Sequence, residues 1–225
     1  MNTIYALYKI LYKTYGVQGW WPITGYGYHK ADYNFPRSEN EIFEVCVGSI
    51  LTQNTTFTSV VKSLNDLHAK NAISASSIAS MECDELKEAI RPSGYFNQKA
   101  RYILEFIKFY NTLDGKVPER DTLLNVIGVG QETADSMLLY GYNQLEFKVD
   151  AYTKRILLAL GIIEQKSSYS EVKMLMESSL KECISDEKEL LKVYQEFHAL
   201  LVEHGKNFYS KKPYGVGCFL KKELS

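Results

Sequence analysis

The stretch Asp121–Gly141, DTLLNVIGVGQETADSMLLYG, decides the fold. Its apolar residues before Gly128 recur at helical spacing, Gly128-Val129-Gly130 makes a tight turn, and a second helix runs to Gly141. Glycine reaches backbone conformations closed to other residues and lets a second backbone approach closely. Two jobs fit such a turn. It can be a corner that only packs one helix on the next. It can also present the orphan N–H groups of the second helix to an anion, because the helix dipole favours negative charge there. A strand-first phosphate loop is excluded: no strand precedes the glycines and no Lys-Ser/Thr follows them. A dinucleotide-binding turn fails for want of the same strand. Glu132, an acid where a basic residue would complement a phosphate, sits in the first helical turn, which the dipole favours.

Outward from this hairpin, three- and four-residue apolar spacing predicts helices over Ile4–Tyr15, Glu41–Leu51, Phe57–Leu67, Leu86–Ile90 and Ala100–Tyr110. The same spacing continues over Thr133–Tyr140, Tyr152–Leu160, Val172–Leu180 and Leu190–Val202. No β-branched alternation is long enough for a strand, so the chain reads as all-α with roughly ten helices. Gly- and Pro-marked breaks fall between them, the longest being the aromatic loop Gly16–Asn40. With 225 residues, 45% hydrophobic and 24% charged, the chain can bury a substantial core. A net charge of −1 excludes a surface coated in positive field but leaves room for a local basic groove. The opening residues show neither a signal-peptide core nor a membrane span, which places the expected protein in the cytoplasm. Cys46, Cys83, Cys183 and Cys218 are scattered and form no CxxC pair, so neither a disulfide framework nor a zinc site is expected.

Twenty residues beyond Gly130 stands Asp150, in FKVDAYTKRILLALG (Phe147–Gly161). It suits the N-cap of the helix that follows. It also suits a carboxylate beside a chemical centre, kept ionised by the same helix end so that it can stabilise a cation.

The combination resembles the endonuclease III superfamily of helix-hairpin-helix DNA glycosylases. Four segments carry the likeness in order: FEVCVGSILTQNTTFTSVVKSL (Phe43–Leu64), RPSGYFNQKARYI (Arg91–Ile103), the hairpin with its downstream Asp150, and LLVEHGKNF (Leu200–Phe208). Within the superfamily the chain is most similar to the cluster-free 3-methyladenine DNA glycosylases, through Trp20-Trp21-Pro22, LTQNT followed by Phe57, and the NQKA segment. The resemblance implies two helical lobes, roughly 36–148 with the hairpin and 1–35 plus 149–225. It implies a monomer that binds double-stranded DNA containing a damaged base and flips that base out of the stack. Asp150 is then catalytic, Trp20, Trp21 and Phe57 form the base pocket, and Gln53 fills the gap the base leaves. Gly128, Val129, Gly130 and Gln131, with Lys99, hold DNA phosphate. Arg101, Lys148, Lys154, Lys206, Lys211 and Lys212 are further backbone contacts. Each has a plainer reading: the tryptophans as core, Gln53 as a buried helix amide, the cations as solvated surface, His198 and His204 as satisfied helix histidines.

Two departures matter. Lyase members of the superfamily carry a nucleophilic Lys where this chain has Glu132, so no Schiff base and no strand cleavage is expected. Iron–sulfur members need four cysteines near the C-terminus, of which only Cys218 remains, so no cluster, metal or other cofactor is expected. The expected activity is monofunctional removal of alkylated purines such as 3-methyladenine. The alternatives are the same fold acting on an oxidised or deaminated base, and a non-catalytic binder of DNA lesions.

Overall fold

The computed structural model describes residues 2–224. Among them the chain forms twelve α-helices. They are α1 (Thr3–Tyr15), α2 (Glu39–Leu51), α3 (Phe57–Ala69), α4 (Ala75–Ala79), α5 (Cys83–Ile90) and α6 (Phe96–Tyr110). There follow α7 (Arg120–Leu124), α8 (Gln131–Ser136), α9 (Ala151–Ala159), α10 (Tyr169–Lys181), α11 (Glu187–Phe208) and α12 (Leu220–Leu224). A 3₁₀ turn at Arg91–Ser93 leads to α6, and α8 runs on into a π-helical turn at Met137–Gly141. The fold is all-α; the aromatic loop contributes one isolated bridge, Ile23 to Gly27. No described helix is long and apolar enough to cross a membrane.

Side-chain caps fix most starts. Ser38, Thr56, Ser74, Ser168 and Asp186 each accept from an N–H one turn into α2, α3, α4, α10 and α11, each worth about 1 kcal/mol. Short α4, α7 and α12 carry too few apolar residues to register as periodic segments.

The chain divides into two compact units. The hairpin unit holds Trp21–Gly27 and Asn34–Asn143; the terminal unit holds the N-terminal residues through Trp20, Tyr28–Tyr33 and everything from Gln144 on. The borders differ from 36–148: the main segment runs from Asn34 to Asn143, and Trp21–Gly27 is added to it. Trp21–Gly27 stays with the hairpin unit because Trp21 packs on Phe57 and on Gly48, and the Glu44 carboxylate accepts from Thr24 N–H at 2.8 Å. The later border falls right after the π turn, so Lys148 lies in the terminal unit.

In the hairpin unit α2 is the central element, buried continuously from Phe43 to Leu51. Val47, Ile50 and Leu51 join Leu64 of α3, Ile90 of α5, Ile103 and Phe106 of α6, and Met137 in one cluster. Each such side chain contributes about 1.5–3 kcal/mol by leaving water. In the terminal unit α11 is central, packing on α1 and α9. Gly205 makes the α9 contact possible: a Cβ there would stand 2.4 Å from the Tyr152 ring.

Candidate active site

The hairpin begins with Gly128 at φ +89°, where an added Cβ would lie 2.1 Å from Cγ of Tyr102. The glycine is thus demanded twice, by conformation and by the ring packed over it. Val129 is buried and its N–H donates to Val126 O at 3.0 Å. Gly130 is the N-cap of α8, in extended conformation, and no side chain caps that helix. The first N–H groups of α8 are therefore left to solvent or a ligand. A bidentate pair holds the two helices of the hairpin together: Arg120 Nε donates to Asp135 Oδ1 at 2.6 Å, and a terminal guanidinium nitrogen to Oδ2 at 3.2 Å. Gln131 and Glu132 are exposed on the first turn of α8.

Gln53 lies just past α2 and reaches the hairpin. Its amide nitrogen donates to Gly128 O at 2.8 Å and to Thr133 Oγ1 at 3.1 Å. The residue expected to enter a DNA gap is thus tied to the turn expected to hold DNA phosphate. Lys99 is placed differently from expectation. It is 2% exposed, and its ammonium donates to Leu51 O at 2.8 Å and Ser93 O at 2.7 Å. Burial pulls its pKa down to about 8. It lies inside the unit and ties the end of α2 to the turn before α6. Lys148 is likewise buried, and Lys154 donates to Ser167 O at 3.1 Å, whereas Arg101, Lys206, Lys211 and Lys212 are exposed.

The three pocket aromatics belong to different units, Trp20 to the terminal one and Trp21 and Phe57 to the hairpin one. Trp21 is 2% exposed, its ring at 5.3 Å from Phe57 and 5.7 Å from Tyr140. This corrects the expectation for Trp21: it is a core residue with no ring face open to a base. Phe57 is half-buried at the first position of α3. Trp20 belongs to the terminal unit and lines a cleft of about 360 Å³ with Tyr15, Gln18, Tyr28, Lys30, Glu203 and Lys206. Tyr28 tilts against Trp20 at 6.2 Å, and Lys206 Nζ stands over the indole at 6.0 Å from its centroid.

Asp150 fills both readings its position allows. Oδ1 caps α9, accepting from Thr153 N–H at 2.7 Å and Thr153 Oγ1 at 2.9 Å. Oδ2 turns toward His198 Nε2 at 3.7 Å, and the side chain is 12% exposed. Burial alone would raise its pKa, but His198, the Lys148 charge and the Thr153 N–H outweigh that and hold the carboxyl well below the usual range. It is ionised at any working pH. The sequence presents His198 as a satisfied helix histidine and gives it no role, because Asp150 lies 48 positions away; only the fold brings α11 to the start of α9.

His204 is interior. Its Nδ1 meets the Tyr15 hydroxyl at 2.9 Å and its Nε2 meets Cys218 Sγ at 3.2 Å, while Tyr209 donates to the same sulfur at 3.4 Å. Burial lowers its pKa to about 4. Cys218 thus ties the C-terminal segment to α11 through hydrogen bonds. Among the described residues no group of three or more His, Cys, Asp or Glu side chains is arranged to hold a metal.

A glycine hairpin with an uncapped helix start, in an all-helical chain with an ionised aspartate capping a later helix, matches the arrangement expected of a helix-hairpin-helix DNA glycosylase. Comparison with known proteins makes the family explicit. Residues 47–182 match the family model described as HhH-GPD superfamily base excision DNA repair protein, and the chain belongs to that superfamily. A protein of Methanocaldococcus jannaschii named as a DNA repair glycosylase is 39% identical over 97% of this chain and 94% of its own. Endonuclease III of Sulfolobus acidocaldarius is 28% identical over 80% of each. Among solved structures, the H. pylori 3-methyladenine DNA glycosylase bound to 1,N6-ethenoadenine superposes with a TM-score of 0.70 at 28% identity, covering 91% of this chain and 95% of that one. A thermostable thymine-DNA glycosylase shares the fold at a TM-score of 0.67 and 16% identity.

Proposed function

We propose that this glycosylase is a monofunctional, monomeric enzyme that hydrolyses the glycosidic bond of alkylated purines in double-stranded DNA. The observation that carries the proposal is Asp150, a carboxylate held ionised with one oxygen spent on the helix and the other turned away from it. As the C1′–N bond breaks, the base leaves with the bonding pair, positive charge develops on the sugar, and water adds at C1′. A nearby carboxylate stabilises that charge and orients the water. The likeness to the H. pylori enzyme supports the alkylated-base substrate. Gly128, Gly130 and Gln131 would grip a phosphate through backbone N–H groups, whereas Val129, expected to join them, spends its N–H on Val126 O; Gln53, already fastened to Gly128, would enter the space the base vacates.

Asp150→Asn tests the enzyme reading without removing the cap, since asparagine caps as well as aspartate. The expected variant binds damaged duplex with parental affinity and releases no base. A parent that releases no alkylpurine from methylated or etheno-containing duplex sinks the substrate assignment, and one that releases no damaged base from any duplex leaves a binding protein. Glu132 replaces the lyase amine, so borohydride should trap no covalent adduct on abasic DNA; an adduct would contradict monofunctionality.

One observation favours a narrower substrate. Lys206 stands over Trp20 and Lys30 lines the same cleft, with Glu203 3.7 Å from the Lys206 ammonium. A cationic base on Trp20 would meet Lys206, whereas a neutral adduct with ring acceptors could accept its proton. Lys206→Met should therefore slow release of ethenoadenine and leave 3-methyladenine unchanged or faster. Equal losses on both would refute this narrower reading.

A further inference from the structure

His198 occupies a position that the reaction as described leaves unassigned. It lies on α11, is completely buried, and touches the two parts of the terminal unit that the proposed chemistry needs. Its Nε2 faces Asp150 Oδ2 at 3.7 Å, and its ring meets Trp20 edge-on at 5.9 Å and 79°. Asp150 Oδ1 already accepts twice from Thr153, so the orientation of Oδ2 depends on what stands beside it. A buried imidazole at that place costs desolvation and displaces an aliphatic side chain that would pack as well. Its two neighbours account for that cost.

We propose that His198 is a positioning residue for Asp150, its neutral ring fixing the direction of Oδ2 and bracing Trp20, and that protonation of the ring switches the carboxylate off. The proposal rests on the reading of Asp150 as the catalytic carboxylate. The charged groups that act on the ring are Asp150 at the start of α9 and Lys148 in the segment leading to it. Glu196, two residues away on α11, is engaged elsewhere, accepting from Gln18 N–H at 2.7 Å and from Gly19 N–H and the Tyr33 hydroxyl at 3.3 Å. Burial holds the imidazole pKa below its ordinary 6.5, so the ring is neutral at physiological pH. On acidification it gains a proton while Asp150 stays ionised. The new cation then cancels the field that Asp150 offers to the developing sugar cation. The rate should fall as pH falls through the His198 pKa, and the acid limb belongs to His198, not to Asp150.

The test is single-turnover base release across pH 4–8 for the parent, Asp150→Asn, His198→Leu, His198→Asn and His198→Gln, with duplex affinity measured alongside. The glutamine amide nitrogen reaches about as far as Nε2, and the asparagine nitrogen does not. His198→Leu and His198→Asn should lose about 10–100-fold in rate with affinity unchanged, the scale of a misplaced catalytic group. His198→Gln should keep a rate within about fivefold of the parent near neutrality and lose the acid limb. If His198→Leu matches the parent in rate and keeps the limb while Asp150→Asn is inactive, His198 is a packing residue and the inference falls alone. If Asp150→Asn cleaves at the parental rate, the Asp150 reading falls and takes this one with it. Should His198→Leu fail to fold, His198→Gln decides: an acid limb that survives in it overturns the proposal.

Discussion

Replacing Gly128 by alanine asks whether the hairpin turn is built as described. Two separable penalties follow from the geometry. At φ +89° an L-residue is strained by about 1–2 kcal/mol. The new Cβ would also stand 2.1, 2.4 and 2.6 Å from Cγ, Cδ1 and Cδ2 of Tyr102. That ring is anchored at its far end, where its hydroxyl accepts from Gln98 Nε2, and relieving the overlap should cost about 1–3 kcal/mol. The expected loss is about 2–5 kcal/mol, a large part of the ~5–15 kcal/mol that folded domains possess. Urea unfolding followed by circular dichroism measures it, and Tyr102→Ala separates the parts. In the Tyr102→Ala background the clash is gone and only the strain remains, so Gly128→Ala should cost about 1–2 kcal/mol there, a coupling of at least ~1 kcal/mol. Equal costs in both backgrounds, or a single-variant cost below about 1 kcal/mol, would refute the account of the turn. Duplex affinity of the folded fraction should fall more in Gly128→Ala than stability alone explains, because the displaced backbone carries the N–H groups proposed to hold phosphate.

Lys99→Met should cost about 2–4 kcal/mol in urea unfolding by stranding the carbonyls of Leu51 and Ser93, while the salt dependence of duplex binding keeps its slope; a slope lower by about 1 would restore Lys99 as a phosphate contact. Arg120→Met removes the bidentate guanidinium partner of the fully buried Asp135 carboxylate and should cost about 3–5 kcal/mol, most of it recovered in Arg120→Met/Asp135→Leu, as two-variant unfolding curves would show. The folded-state pKa of His204 lies below its unfolded value, so the unfolded chain binds the proton more readily. Stability is then fully present above about pH 6.5 and declines as pH falls toward about 4, and His204→Gln should flatten that part of the melting-temperature profile.

The hairpin was legible because its signals are local: Gly spacing, helical periodicity and the N-cap at Asp150 all act within a few residues. So was the all-helical class, since each long helix advertises one apolar face. What could not be read depends on where side chains finish. Trp20 and Trp21 are neighbours in sequence, yet the chain bends at Trp21 and the unit border runs between them. Trp21 goes to the core on Gly48, and Trp20 to a cleft with Tyr28 and Lys206. Lys99 falls on the buried face of α6 with Ile103 and Phe106, a spacing that marks it as inward-facing, but lysine is so seldom buried that its charge outweighed its position. The Arg120–Asp135 and His198–Asp150 pairs join elements by tertiary packing, and no spacing rule reports them.

In the catalytic role proposed for it, the ionisation of Asp150 bears on the kind of base that can be released. A carboxylate held far below the usual pKa range is a weak proton acceptor, because the environment that keeps it charged also opposes its protonation. Its strength lies in its charge, which serves a developing sugar cation better than it serves deprotonation of water. Such a site helps most when bond breaking runs ahead of water attack. That order suits bases whose ring modification makes them better leaving groups than an undamaged purine. An undamaged purine leaves too poorly for the carboxylate alone to carry the reaction, so on the proposed mechanism discrimination against normal DNA follows from the chemistry of departure before any contact in the cleft adds to it.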